Sequence, residues 1–274
     1  SGATTASIDN VSVKEYLGQE VVPDSGKPAL LLEDEREQYF THSNDFTDSS
    51  YSKTNMTITP NDLMSIDGVV NASKLVESSS TASRKLHFTA FSQNLTYTLS
   101  GYFKADERDW IILYFSTYGG YYFDVRNGVI GDAVGTISGT PLITDEGDGW
   151  YRCSITNAFT TVQRAEIYLA GGNGIFSYAG DGTSGLHIYG AQLEDGSLTS
   201  YIPTDGVRKT RLEDSCIGGG SVDSINSAEG ILYANIAPLG VDSSKRAISL
   251  NGGNDSDRLI IRYTANNNLQ VIFR

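Results

Sequence analysis

The sequence predicts an all-β fold, an antiparallel β-sandwich with partial β-modules at both ends. Three observations carry this. Of 274 residues, 29 are glycine and 16 tyrosine while only 19% are charged, a composition suited to short strands and many turns. Apolar residues recur with period two in runs bounded by "DG", "NG", "GG" and "GDG" turns. The one segment with helical leanings, "LLEDEREQYF" at Leu31–Phe40, is short and has neither an N-cap residue nor an i, i+3, i+4 apolar stripe.

The chain starts with a strand-like stretch, "ASIDNVSVKEY". Ile8, Val11 and Val13 alternate with polar residues, and the period slips between Asp9 and Asn10 as at a bulge. "GLHIYGAQLEDGS", at residues 185–197, has the same rhythm and the same acidic run into a turn. Residues 1–16 are therefore expected to be the last strand of a preceding β-module. "LGQEVVPDSGKPA" follows, with two prolines and two glycines, and makes 17–28 a linker.

The central module, 29–216, holds nine expected strands: Met56–Thr59, Ser73–Glu77, Lys85–Phe91, Thr96–Lys104, Trp110–Thr117, Tyr121–Arg126, Trp150–Thr156, Arg164–Ala170 and Gly185–Glu194. In "LTYTLSGYFKA", Tyr97, Leu99, Gly101 and Phe103 alternate with Thr96, Thr98, Ser100 and Tyr102, which predicts one buried face. "WIILYFST" is apolar on both faces, so it belongs mid-sheet or under a cover. Trp150 follows a "GDG" turn and is expected in the core. A Gly/Ser tract makes 217–228 a second linker. "ILYANIAPLG", "RAISLNGG", "RLIIRYTA" and "LQVIFR" then read as the first strands of another β-domain over 229–274, too short for a comfortable sandwich of its own.

Charge and composition exclude several functions. The net charge of −13 opposes attraction to nucleic-acid phosphates. No apolar run approaches the roughly 18 residues of a membrane span, and no charged start leads into an apolar signal core, so membrane insertion is not expected. Cys153 and Cys216 read as free thiols, Cys153 as a small buried side chain.

Nor do the residues point to an enzyme. His42, His87 and His187 have no His or Cys partner at ligand spacing, and neither a nucleophile elbow nor a phosphate-binding glycine loop occurs. Glu33, Asp34, Glu35 and Glu37 crowd one short segment, whereas a glycosidase pair flanks the scissile bond from separate elements. The "GDG" turns at Asp148 and Asp181 offer oxygen atoms to calcium, but hairpin turns explain them without a cofactor, and none is expected.

Recognition remains. In "WIILYFSTYGGYYFDVRNG", Tyr114, Tyr118, Tyr121 and Tyr122 gather around a Gly-Gly hairpin whose tip is expected to face solvent. Tyrosine offers a sugar a flat apolar body with a hydroxyl at its rim. Asp124, Arg126 and Asn127 then supply hydrogen bonds. The alternative is that these aromatics fill the core, cover the sheet or touch a neighbouring subunit.

Several motifs in order also carry a resemblance. "GKPALLLEDEREQYFTHSNDF", "GVVNASKLVES", "YTLSGYFKADE", "DGWYRCSIT" and "YAGDGTSGLHIYGAQLEDGSLTSYIPTDGVRKTRLEDSC" together resemble carbohydrate-binding-like jelly-roll modules of tailed-bacteriophage tail fibres and receptor-binding proteins, from about Lys27 to Cys216. "SIDNVSVKEY" looks like the last strand of a related module, and residues from Glu229 onward look like the start of a concanavalin A-like lectin domain. This sequence departs from the pattern in its acidic "EDERE" and in Tyr51, where such modules often carry Trp. The resemblance implies a jelly roll and a non-enzymatic virion protein on the tail or another exterior appendage. Its implied partners are host-surface glycans, other virion proteins and copies of itself, most simply as a trimer. An architectural spacer, and the accessory binding region of a secreted polysaccharide-degrading enzyme, are the alternative readings.

Overall fold

The computed structural model describes residues 21–24, 27–88, 95–160, 164–215, 246–251, 258–264 and 268–273, and all regular structure in them is β. The N-terminal stretch 1–16, the Gly/Ser tract 217–228 and the expected strand "ILYANIAPLG" at 231–240 lie outside them, as does Cys216. The chain divides into two compact units, Arg36–Arg211 and one made of the segments before and after it. In the second of these, β1 (Val21–Asp24) and β2 (Lys27–Leu30) pair as an antiparallel hairpin across the expected linker.

Within Arg36–Arg211 the strands follow in order. They are β3 (Arg36–Gln38), β4 (Tyr51–Thr54), β5 (Met56–Met64), β6 (Val70–Glu77), β7 (Thr81–Ala82), β8 (Arg84–Phe88) and β9 (Thr96–Ala105). Then come β10 (Trp110–Phe115), β11 (Gly119–Asp124), β12 (Val129–Gly135), β13 (Thr140–Gly147) and β14 (Trp150–Ala158). The unit closes with β15 (Ala165–Ala170), β16 (Tyr178–Ala179), β17 (Gly185–Asp195) and β18 (Lys209–Arg211). The segment with helical leanings is thus partly the strand β3, whose Gln38 is tied by its side chain to β17. Three antiparallel strands, β19 (Arg246–Asn251), β20 (Arg258–Tyr263) and β21 (Leu269–Phe273), belong to the other unit.

Two antiparallel sheets make the sandwich. One runs β12-β11-β10-β15-β8-β4; the other runs β13-β14-β9-β17-β3-β18, with β6 paired to β17 and β5 to β6. Ile111, Leu113, Phe115, Phe123, Ile167 and Leu169 from the first sheet share one core with Leu99, Phe103, Cys153, Ile155, Leu186 and Ile188 from the second. As its two apolar faces require, β10 lies mid-sheet between β11 and β15. Tyr51 belongs to the core, its hydroxyl donating to the His42 carbonyl at 2.6 Å.

β9 departs from expectation, since Thr98, Ser100 and Tyr102 are buried as well as its core face. Two covers explain this. Leu63, just before the β5–β6 turn, packs with Ala72, Tyr102, Trp150, Tyr189 and Tyr201 on the outer face of the second sheet, so Trp150 is buried there rather than between the sheets. The other cover is the stretch "GSLTSYIPT", held by buried side chains of β17. Gln192 Oε1 accepts the Ile202 amide at 2.7 Å, and Glu194 accepts the Thr199 amide and hydroxyl at 3.0 and 2.5 Å. β17 can serve both faces because its register shifts between Tyr189 and Gln192: Leu186 and Ile188 face the core before the shift, Ala191 and Leu193 after it. Gly190 takes φ +58 at that point, and an added Cβ would sit 3.2 Å from the rings of Tyr102 and Tyr201.

Candidate functional site

The β10–β11 hairpin distributes its aromatic residues over two faces. Adjacent residues on a strand point to opposite sides, so Tyr121 packs against the core and donates to the Gly139 carbonyl at 3.0 Å, while Tyr122 lies on the outer face. Tyr118 also turns to the core side, edge-on to Phe159 at 5.0 Å. The Gly-Gly pair is not the hairpin tip. Gly119 and Gly120 are buried at the start of β11, where an added Cβ would come within 1.9 Å of the Val134 carbonyl oxygen and 1.8 Å of that of Leu113. The chain instead reverses over residues 116–118, with Thr117 at φ +82.

Asp124, Arg126 and Asn127 sit at the other end of β11, building the turn into β12. Asp124 Oδ1 accepts the amides of Arg126 and Asn127 at 3.0 and 3.1 Å, and Oδ2 accepts the Asn127 side-chain amide at 2.9 Å. Arg126 Nε donates to Asp109 at 2.6 Å. These polar groups serve the turn, and of the four expected tyrosines Tyr114 and Tyr122 share one outer surface.

That surface is the outer face of the first sheet. Ile112, Tyr122, Tyr168 and Ala170 are buried in it, and Trp110, Tyr114, Val134 and Phe176 are half-buried around them. Register explains the grouping: Trp110, Ile112 and Tyr114 of β10 stand opposite Ala170, Tyr168 and Glu166 of β15, and Ile112 stands opposite Tyr122 of β11. Tyr114 and Tyr168 meet edge to face at 5.5 Å, with Phe176 4.6 Å from Tyr168 and 6.0 Å from Tyr114.

Charged groups border the aromatics. Glu166, 2% exposed, accepts the Tyr168 hydroxyl at 2.6 Å on Oε2; its Oε1 lies 3.0 Å from Lys85 Nζ and 3.5 Å from Arg164 Nε. Lys85 faces Tyr168 from β8, and His87 stands opposite Glu166. Burial and the neighbouring Lys85 hold the His87 pKa below its usual value. Burial, with Glu166 nearby, raises the Tyr114 pKa, and burial with Asp132 raises that of Tyr122, so both hydroxyls stay neutral. This combination of half-exposed rings, neutral hydroxyls and a bordering charge cluster suits adsorption of a ligand. Glu166, enclosed by its three partners, is not placed as a general acid.

Trp110, Tyr168, Phe176, Glu166, Lys85 and Arg164 escaped the sequence reading. Alternation holds a signal for some of them: Trp110, Ile112 and Tyr114 occupy one face of "WIILYF", and Arg164, Glu166, Tyr168 and Ala170 one face of "RAEIYLA". The pairing of these two distant segments is what joins them, and nothing local in the sequence specifies it.

Elsewhere, His187 Nε2 meets Asp62 Oδ2 at 2.8 Å and His42 Nδ1 meets Asp48 Oδ1 at 3.2 Å. Among the described residues, no three His, Cys, Asp or Glu side chains are placed to hold a metal, and no helix is long and apolar enough to cross a membrane. Cys153 is buried in the core, as expected, where desolvation raises its pKa well above the ordinary thiol value.

No protein-family model matches the chain, and no curated protein matches it.

Proposed function

We propose that this chain is a non-enzymatic segment of a phage tail fibre or related virion appendage, whose jelly-roll sandwich presents a glycan-binding face to the host surface. The observation that carries the reading is the half-exposed pair Trp110 and Tyr114 on the outer face of the first sheet, beside Phe176 and bordered by charged side chains. Two aromatic rings on one face suit the C–H faces of a saccharide. The motif resemblance from Lys27 to Cys216 supplies the virion setting.

Single saccharide sites are weak, and linked copies make the second contact effectively intramolecular. The reading therefore includes a homo-oligomer, a trimer. Among the described residues of the second sheet, β5 pairs only with β6 and β13 only with β14, which offers both as edges for assembly.

A second reading, an architectural spacer, draws on the packing of Phe176 over Tyr168 and Tyr114, which uses part of the aromatic surface internally. A glycan array probed with the full chain separates the two. Retention on defined glycans supports the receptor-binding reading; silence across the array, with a stable oligomer in sedimentation, supports the spacer. A monomer at micromolar concentration contradicts the trimer.

A further inference from the structure

We infer that the saccharide taken by this face is acidic, with its carboxylate seated at Lys85 and Arg164 and its ring against Tyr114. The inference rests on the glycan-binding reading above and adds the ligand's charge.

Three observations carry it. First, Lys85 and Arg164 converge on the same oxygen, Glu166 Oε1, at 3.0 and 3.5 Å. The carboxylate beneath them is 2% exposed, while the Lys85 and Arg164 side chains are 21% and 48% exposed. Two cations thus face outward over one carboxylate, leaving an excess of one positive charge at the surface of a chain whose total is −13.

Second, the cations stand beside the ring platform. Tyr114 is directly opposite Glu166 in the β10–β15 register, a separation of about 5 Å between Cβ atoms, and Arg164 is two residues from Glu166 on the same face. A uronic acid with its ring on Tyr114 therefore has Lys85 and Arg164 on the side of the platform where Glu166 stands. Third, Arg164 is anchored by its backbone. Its amide donates to Ser116 Oγ at 2.8 Å and its carbonyl accepts the Ser116 amide at 3.0 Å, so the guanidinium projects from a fixed point. Of the other titratable neighbours, one is neutral and the other, a carboxylate, stands on the opposite edge of the sheet from the cations. His87 opposite Glu166 is held neutral, and Asp132, on the far flank beyond Tyr122, is tied to Asn173 by hydrogen bonds of 2.8 and 3.0 Å.

The test is calorimetric titration of the full chain with a galacturonic-acid hexamer and with its carboxyl-reduced, neutral counterpart, alongside Arg164→Gln and Arg164→Lys. Arg164 is exposed enough that neither variant threatens the fold. The expected result is binding of the uronide, weakened by salt, with about a tenfold or greater loss in Arg164→Gln and recovery in Arg164→Lys. Binding of the neutral hexamer as tight as that of the uronide overturns the inference and leaves the glycan-binding reading standing. Uronide binding that Arg164→Gln leaves unchanged overturns the placement at these cations. Absence of binding to both hexamers, when other glycans on the array bind, overturns the acidic assignment alone; silence of the whole array removes the glycan reading and this inference with it.

Discussion

Arg108 grips Glu77 through two hydrogen bonds, Nε to Oε2 at 2.8 Å and Nη2 to Oε1 at 2.6 Å, and the carboxylate they hold is buried. Tyr178 donates to the same carboxylate at 2.7 Å and the Asp181 amide at 2.8 Å, which ties the loop before β17 to β6. Arg84 is fully buried beside them, its guanidinium 4.0 Å from the centre of the Tyr178 ring. Replacing Glu77 by Ala strands these cations, and the expected cost is about 3–5 kcal/mol, read as a lower urea midpoint at unchanged slope.

The same group sets an acid limit. Burial pushes the Glu77 pKa up, but the hydrogen bonds from Arg108, Tyr178 and the Asp181 amide outweigh it and leave the pKa below the ordinary glutamate value. A depressed carboxylate contributes stability above its unfolded pKa and loses it as pH falls through the folded one. The melting temperature should therefore drop below about pH 4.5, and Glu77→Gln should flatten that drop. An unaltered acid limb in the variant would show that other carboxylates set it.

Glu194 has the opposite sign. Desolvation raises its pKa, outweighing the hydrogen bonds from Thr199 and Gln192. The contribution of a raised carboxyl is complete below the unfolded value and declines as pH rises through the folded one. Glu194→Gln, which imitates the protonated form, should gain on the parent protein as pH rises from about 4.5 towards 8. Paired thermal scans at pH 5 and pH 8 check this; an equal offset at both would contradict it.

Backbone crowding gives a third prediction. Gly119 adopts φ +114, and its added Cβ would meet the Val134 carbonyl, so Gly119→Ala should cost on the order of 3 kcal/mol. Gly68, at φ +79 in the β5–β6 turn, has open space around it, and Gly68→Ala should cost about 1 kcal/mol. Equal losses in chemical denaturation would refute the crowding argument.

Much of the fold was legible because burial imposes period two. A strand lies at each of the nine expected positions, and Trp110–Phe115, apolar throughout, sits mid-sheet with one face in the core and the other in the outer aromatic cluster. β12 and β13 were missed because edge strands are wet on much of their surface and lose the alternation; Pro141 further disguises β13. The outer burial of β9 could not be read from β9 itself, since its covers come from residues near 63 and 201. Within the site, the adjacency of Tyr121 and Tyr122 already required opposite faces, whereas the meeting of Tyr114 with Tyr168 depended on which strands pair.

The most direct test of the central claim compares two variants for glycan affinity. Trp110→Ala/Tyr114→Ala removes the outer-face rings, and Tyr121→Phe removes only the hydroxyl bonded to Gly139 on the core side. The account predicts that the first loses affinity about tenfold or more with its fold retained by circular dichroism, and that the second binds as the parent does. Undiminished binding by the outer-face variant would contradict it and place recognition elsewhere on the chain.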